Sequence, residues 1–296
     1  MEGKNRLDRN PLGFSIMAYT IVGIMAILGL APFWLLVSGS LTDNATIMRE
    51  GFTFWPSMFS LDAYRMVFAV PEVIFRAYFV TIFITIAGTL GTVLLCSITG
   101  YSLSRKDFAY RNAFAFFFYF PSLFSGGLIP FFLLMIALGM RNNPLSMILP
   151  AMMSFFFIVV LRSFFKQLPD EIGESGKMDG ANELVICFKL YMPMAVPAIA
   201  TIALFAALNY WNSWQPAMLF INDPNWFPLQ LVMHRILNAA GDVMRYGQMA
   251  GVSTRSIPTQ AFQLAMVCVA TGPIILLFPF IQKYFIKGLT IGAVKG

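Results

Sequence analysis

Five of the fourteen acidic residues, Asp170, Glu171, Glu174, Asp179 and Glu183, fall in one stretch, Gln167–Lys189, QLPDEIGESGKMDGANELVICFK. Other groups able to do chemistry are sparse. Cys96, Cys187 and Cys268 are scattered in or beside apolar segments, with no spacing that suggests a metal site or a disulfide framework. His234 is the single histidine, which rules out chemistry needing two. There is no G-x-x-x-x-G-K-[ST]: the Gly-Lys pairs, Gly3-Lys4 and Gly176-Lys177, lack the rest of the motif, so the chain has no ATP cradle of its own and energy must come from another subunit. No H-E-x-x-H occurs either. A second concentration of functional groups, Asn209-Tyr210-Trp211-Asn212-Ser213-Trp214-Gln215, joins aromatic faces that stack on sugar rings to amides that bond hydroxyls. An aromatic belt at a membrane interface has the same composition.

The elements that must carry these residues are dictated by solvent. Of 296 residues, 58% are hydrophobic and only 11% charged, against the roughly 25% charged residues of a soluble domain. The solvent is therefore lipid. Backbone groups there must bond internally, which leaves helices or closed barrels, and the apolar runs are too long for barrel strands. The expectation is an all-α membrane protein with six transmembrane helices: Ser15–Val37, Tyr78–Leu103, Ala113–Leu138, Leu145–Phe165, Val196–Trp214 and Ala261–Tyr284. The first apolar run is too long for a signal-peptide core and reads as a retained span. No Asp or Glu lies within these six segments, which argues against a proton- or sodium-driven carrier and an intramembrane hydrolase. The net charge of +6 reflects basic membrane flanks rather than nucleic-acid binding.

Placing both termini inside puts thirteen Lys and Arg on the inner segments and seven on the outer ones; the short loop SRKDFAYR carries most weight, because short flanking loops set topology. The expected organisation is a cytoplasmic N-terminus over 1–14, a transmembrane bundle over 15–284, and a cytoplasmic tail over 285–296. Within the bundle, 167–190 is an inner loop, and 38–77 and 215–260 are long outer segments. Both outer segments hold aromatics and prolines, such as Trp55, Pro56, Trp226 and Pro228. These form an interfacial belt, or a surface that meets a delivery protein or guides substrate.

The acidic inner loop has the punctuation of a folded element. Pro169, Asp170 and Glu171 suit a helix start, and Gly180 sits where a helix would end in a left-handed residue. Asn182 can cap a second helix, Glu183–Leu190, with Leu184, Val185 and Phe188 on one face. Pro193 and Pro197 then end the element. This is a helix–turn–helix knob with an apolar stripe and an acidic rim, suited to a partner's cleft. A plain amphipathic connector lying on the membrane is the alternative, although such a helix would be basic against anionic lipid.

GESGKMDGANELVICFKLYMPMAVP resembles the "EAA" loop of ABC importer permeases, E-A-A-x-x-D-G-A followed by L-P, at Glu174, Asp179, Gly180, Ala181, Pro193 and Pro197. Ser175 and Gly176 replace the two alanines, and Met192 precedes Pro193. Gln282–Gly296, QKYFIKGLTIGAVKG, is similar to the tail of carbohydrate-importer permeases related to the maltose transporter. FSGGLIP, Phe124–Pro130, resembles the branch with lipoprotein-type and polyuronide-type importers, and its Gly126, Gly127 and Pro130 are a helix break. Within that branch the chain looks most like the second permease of bacterial alginate-oligosaccharide importers. The resemblance implies the type I importer permease fold in a bacterial inner membrane, with no catalysis and no cofactor in this chain. It implies a heterodimer with a second permease, two ATPase subunits that bind ATP and Mg, a periplasmic or lipid-anchored solute-binding protein, and an oligosaccharide cargo moved by alternating access. The loop, with Phe188 on its apolar face, would dock in the ATPase, and Gly180 would be its least replaceable residue. Asn209, Tyr210, Trp211, Asn212 and Trp214 would lie on the cargo path. For an anionic cargo, His234, Arg235 and Arg245 are conceivable partners.

Overall fold

The computed structural model describes residues 12–249 and 260–275. The described residues are helical apart from turns, loops and one isolated bridge, Thr42 with Phe59. In order, the helices are α1 (Leu12–Ser40), α2 (Asn44–Glu50), α3 (Asp62–Val67), α4 (Pro71–Ser104), α5 (Arg111–Leu123), α6 (Leu128–Ala137), α7 (Phe155–Phe165), α8 (Glu171–Met178), α9 (Glu183–Val185), α10 (Met192–Met194), α11 (Val196–Trp211), α12 (Gln215–Phe220), α13 (Leu229–Met249) and α14 (Gln260–Ile275). The cytoplasmic tail expected over 285–296, the terminal residues 1–11 and the end of the sixth expected span, 276–284, lie outside the described residues.

Two helices, α1 and α4, are each long and apolar enough to cross a bilayer alone. Three further expected spans depart from single straight rods. The segment expected at Ala113–Leu138 is α5 and α6, bent by 119°. Its break is FSGGLIP: Phe124 turns extended and Gly127 adopts φ +86° with ψ 174°, a region essentially reserved for glycine. Pro130 sits in the first turn of α6, where its missing N–H costs nothing. Leu145–Phe165 is two short 3₁₀ turns, Pro144–Met147 and Leu149–Ala151, followed by α7 after a 46° bend. The fifth span begins 85° from the helical run before it and ends at Trp211 rather than Trp214. In the segments 38–77 and 215–260, where aromatics and prolines lead the sequence to predict connections, α2, α3 and the 21-residue α13 form.

By contacts the chain forms two units. In the first (12–71 with 237–249 and 260–271), the loop after α1 folds back on it: Trp34 Nε1 donates to Phe54 O at 2.7 Å, and Ser38 Oγ to Thr53 O at 2.8 Å. Asn44 Oδ1 accepts from the N–H groups of Gln260 and Ala261, covering donors that the start of α14 would leave orphaned. The second unit (72–236 with 272–275) holds α5–α12 and nearly all of α4. Its core gathers Leu161 and Phe165 of α7, Ile186, Cys187 and Tyr191 of the inner loop, and Ile202 of α11 around Cys96 and Tyr101 of α4. The outward faces of α1, α5 and α6 stay apolar and exposed; Tyr19, Phe117 and Ile129 are examples. Such surface is stable where lipid replaces water.

Candidate functional site

The inner loop is a hairpin with a defined closure. In α8 the first turn carries Glu171 and Glu174, acids that complement the positive end of the helix dipole. The helix ends at Asp179, and Gly180 turns left-handed at φ +79°. Gly180 N–H donates to Lys177 O and Ala181 N–H to Gly176 O, both at 3.0 Å. These paired bonds are a Schellman closure. Asn182 Oδ1 then accepts from Val185 N–H at 2.8 Å and starts α9.

Beyond α9 the structure corrects the expected end of the element. The helix widens into a π-helical turn over Ile186–Tyr191, with Met192 N–H bonded to Cys187 O, and narrows again as α10, which contains Pro193. Pro193 therefore does not stop the helix. The wider turn re-aims the backbone where proline has no N–H to give, and the chain bends only at Ala195, with Pro197 in the first turn of α11.

Two faces of the hairpin differ. Its inner face is held by a polar lattice that the sequence reading missed. Lys177 Nζ lies 2.6 Å from Asp107 Oδ2 and 2.8 Å from Glu183 Oε1. Tyr101 Oη donates to Glu183 Oε2 at 2.7 Å, and Arg105 Nη1 to Tyr191 Oη at 3.0 Å. Lys106 Nζ meets Asp170 Oδ2 at 2.6 Å. The hydrogen bond from Lys177 holds the Asp107 carboxyl below its ordinary range. For Glu183, burial works upward but is outweighed by the bonds from Lys177 and Tyr101, so the net shift is downward. Lys177 is raised by Asp107 first and Glu183 second. Asp107 is seventy positions from Lys177, so no local pattern marks the pair.

Glycine makes this packing possible. A Cβ on Gly173 would come within 2.8 Å of Arg105 Nη1, and one on Gly176 within 2.9 Å of Leu190 Cδ1 and 3.1 Å of Ile186 Cγ1. Gly176, a departure from the alanine of the EAA pattern, thus makes room for the second limb. The outer face, by contrast, presents Met178 at 90%, Leu184 at 62% and Phe188 at 41% exposure. Glu174, Asp179 and Gly180 are exposed around it, Pro193 is exposed further along, and Ala181 is half-buried.

The polar-aromatic run on α11 divides. Tyr210 and Trp211 are buried. Tyr210 packs its ring where a Cβ on Gly88 would fall, at 2.5 Å, and its hydroxyl donates to Ile148 O at 2.9 Å. Asn209, Asn212, Ser213, Trp214 and Gln215 line a cavity of about 350 Å³ with Tyr210 as part of its wall. His234 stacks on Trp214, ring centres 4.1 Å apart, and the Arg235 guanidinium covers the Phe227 ring at 4.1 Å. The Arg245 side chain lies outside the described residues.

Along the whole chain, comparison finds near full-length relatives. The polygalacturonan/rhamnogalacturonan transport system permease protein YtcP of Bacillus subtilis is 37% identical over 99% of this chain and 100% of its own length. The arabinooligosaccharides transport system permease protein AraQ of Halalkalibacterium halodurans is 29% identical over 96% of this chain and 95% of its own. Among solved structures, a crystal structure of a bacterial ABC transporter involved in the import of the acidic polysaccharide alginate contains a chain that superposes with a TM-score of 0.79. That chain is 29% identical, and the match covers 96% of this chain and 100% of that one. Residues 64–291, from α3 through the hairpin and beyond α14, match the model of one family, and the chain belongs to it: the binding-protein-dependent transport system inner membrane components.

Proposed function

We propose that this chain is one permease half of an ATP-driven, binding-protein-dependent importer of acidic oligosaccharides, working by alternating access. The observation that carries the reading is the hairpin 167–190. Its inner face is bonded into the core of the second unit, while its outer face offers Met178, Leu184 and Phe188 inside an acidic rim. A partner that grips the outer face moves α4 and α7 with it, because the lattice and the aromatic packing of Tyr101, Phe165 and Tyr191 join them.

In this reading the hairpin is cytoplasmic, as are both termini. Two ATPase subunits bind ATP and Mg and grip the hairpins; this chain holds no cofactor and makes or breaks no covalent bond. A second permease completes the pore against the exposed apolar helices, and a solute-binding protein delivers cargo from outside. The cavity beside Asn209, Asn212 and Trp214 supplies the aromatic face and amides that sugar rings require. Two of the similar proteins carry names or descriptions that refer to acidic polysaccharides, polygalacturonan with rhamnogalacturonan and alginate, which favours a uronide cargo.

Reconstitution of the full complex in proteoliposomes tests this. ATP-dependent uptake of oligogalacturonides or alginate oligosaccharides is expected, above that of maltose oligosaccharides, and Gly180→Arg should abolish uptake and ATPase retention while the second permease stays bound. A Gly180→Arg complex that keeps its ATPase and transports normally would refute the docking role. Uptake of neutral oligosaccharides at the same rate as uronides would refute the acidic cargo.

A further inference from the structure

A cavity of about 400 Å³ lies beside the hairpin, where α4 and α7 end and α5 begins. Five cations line it: Arg105, Lys106, Arg111, Arg162 and Lys166. One carboxylate, Asp170, faces them, and it is already paired with Lys106. Part of this charge has a local reason, since Arg105 and Lys106 follow the end of α4, Arg162 lies in the last turn of α7 and Lys166 follows it, where free carbonyls favour cations. Two features go beyond that reason. Arg111 is the first residue of α5, whose opening turn has no acid and no side-chain cap; a cation at a positive helix end is unfavourable unless an anion sits with it. The guanidinium Nε atoms of Arg105 and Arg162 are also buried without a hydrogen-bond partner, which costs free energy; both are closed to a water-sized group, so an occupant satisfies them only if the side chains shift. Among the described residues, no carboxylate pairs with Arg111, Arg162 or Lys166.

We propose that this cavity is a binding site for a phosphate-type oxyanion, the headgroup phosphate of an anionic phospholipid being the ligand it is shaped to hold. Guanidinium groups match phosphate oxygens in pairs. At the start of α5 the Arg111 N–H is already bonded to Phe108 O, which leaves the backbone donor of Asn112, a residue of the cavity wall. Phe165 and Leu168 give the cavity an apolar border. From Arg111 onward the exposed surface of α5 includes Phe114, Phe116, Phe117 and Phe120, a path along which an acyl chain can lie while its phosphate occupies the cavity. The occupant would touch Tyr191 and Asp170, the root of the hairpin, and so link the composition of the bilayer to the element that receives the ATPase. Oxyanion binding itself depends neither on the cargo nor on the sidedness proposed above, so its failure and theirs are separable.

The test uses the assembled complex in nanodiscs of equal phosphatidylglycerol and phosphatidylcholine, with retained lipid counted by native mass spectrometry. Preferential retention of phosphatidylglycerol is expected, and Arg111→Gln and Arg162→Gln should each lower the preference about fivefold. Arg162→Lys, which keeps the charge, should retain most of it and guards against misfolding as the cause. Arg141→Gln, an exposed cation away from the cavity, should change nothing; an equal loss there would mean diffuse attraction and overturn the site. In a parallel arm in detergent, inorganic phosphate is compared with chloride at equal ionic strength. A rise in melting temperature that Arg162→Gln abolishes would support the oxyanion site with an aqueous source. Equal retention of both lipids together with no response to phosphate would overturn it, as would a phosphatidylglycerol preference untouched by Arg111→Gln and Arg162→Gln.

Discussion

At Gly180 the demand on the residue is purely conformational. Its φ is +79°, and a Cβ built there would meet nothing within 4 Å. Substitution by alanine therefore costs only the left-handed backbone penalty, about 1–2 kcal/mol, equivalent to a factor of about 5–30 in the population of the closed hairpin. Asparagine visits this region far more readily. Pull-down of the ATPase and uptake in proteoliposomes should fall in the order Gly180, Gly180→Asn, Gly180→Ala; alanine performing as well as glycine would show that the closure is not needed. Gly173 and Gly88 are constrained differently, by the guanidinium of Arg105 and the ring of Tyr210 that fill the space of a side chain.

At the scale of elements, the inner loop after α4 and the hairpin act as one piece because Lys177 sits between Asp107 and Glu183. The direction of each shift sets the pH range of this lattice. Asp107 and Glu183 are held below their ordinary values, so their contribution is complete above an unfolded value of about 4 and is lost as pH falls through the lower folded values. Lys177 is held above its ordinary value. Its contribution is complete below about 10.4 and is lost only as pH rises through the higher folded value. The lattice should thus be insensitive to pH between about 6 and 9. Lys177→Met removes the cation that Asp107 and Glu183 share, leaving Asp107 only Arg105 at 3.5 Å and Glu183 only the hydroxyl of Tyr101. Cargo moved per ATP hydrolysed is expected to drop by about two- to thirtyfold, and Asp107→Asn in the same background should restore part of it. An unchanged ratio in Lys177→Met would mean that the hairpin transmits motion through its aromatic packing alone.

For the molecule as a whole, basic residues decide orientation. With thirteen Lys and Arg expected inside and seven outside, the orientation we propose puts the hairpin in the cytoplasm and the loop at Arg141 outside. Met178 and Arg141 are both exposed. In a variant lacking the native cysteines, an impermeant maleimide applied to intact spheroplasts should label Arg141→Cys and leave Met178→Cys unlabelled until the cells are opened. Labelling of Met178→Cys in intact cells would reverse the topology and, with it, the role proposed for the hairpin.

The sequence alone determined the lipid-solvated helical class, the hairpin with its turn at Gly180, the cap at Asn182 and the break at Gly126-Gly127, because each follows from composition or from signals a few residues apart. The same locality explains what it misplaced. Pro193 reads as a stop unless the π-helical turn before it is known, and Ala113–Leu138 reads as one span with a break inside it until the 119° bend is seen. Tyr210 looks as available to cargo as Asn209 until its ring is found against Gly88. Only the tertiary structure decided that Asp107 reaches Lys177, that Arg105 reaches Tyr191, and that five cations from two stretches of chain surround one cavity. Charges separated by tens of residues become neighbours through helix packing, which leaves no periodic trace in the sequence.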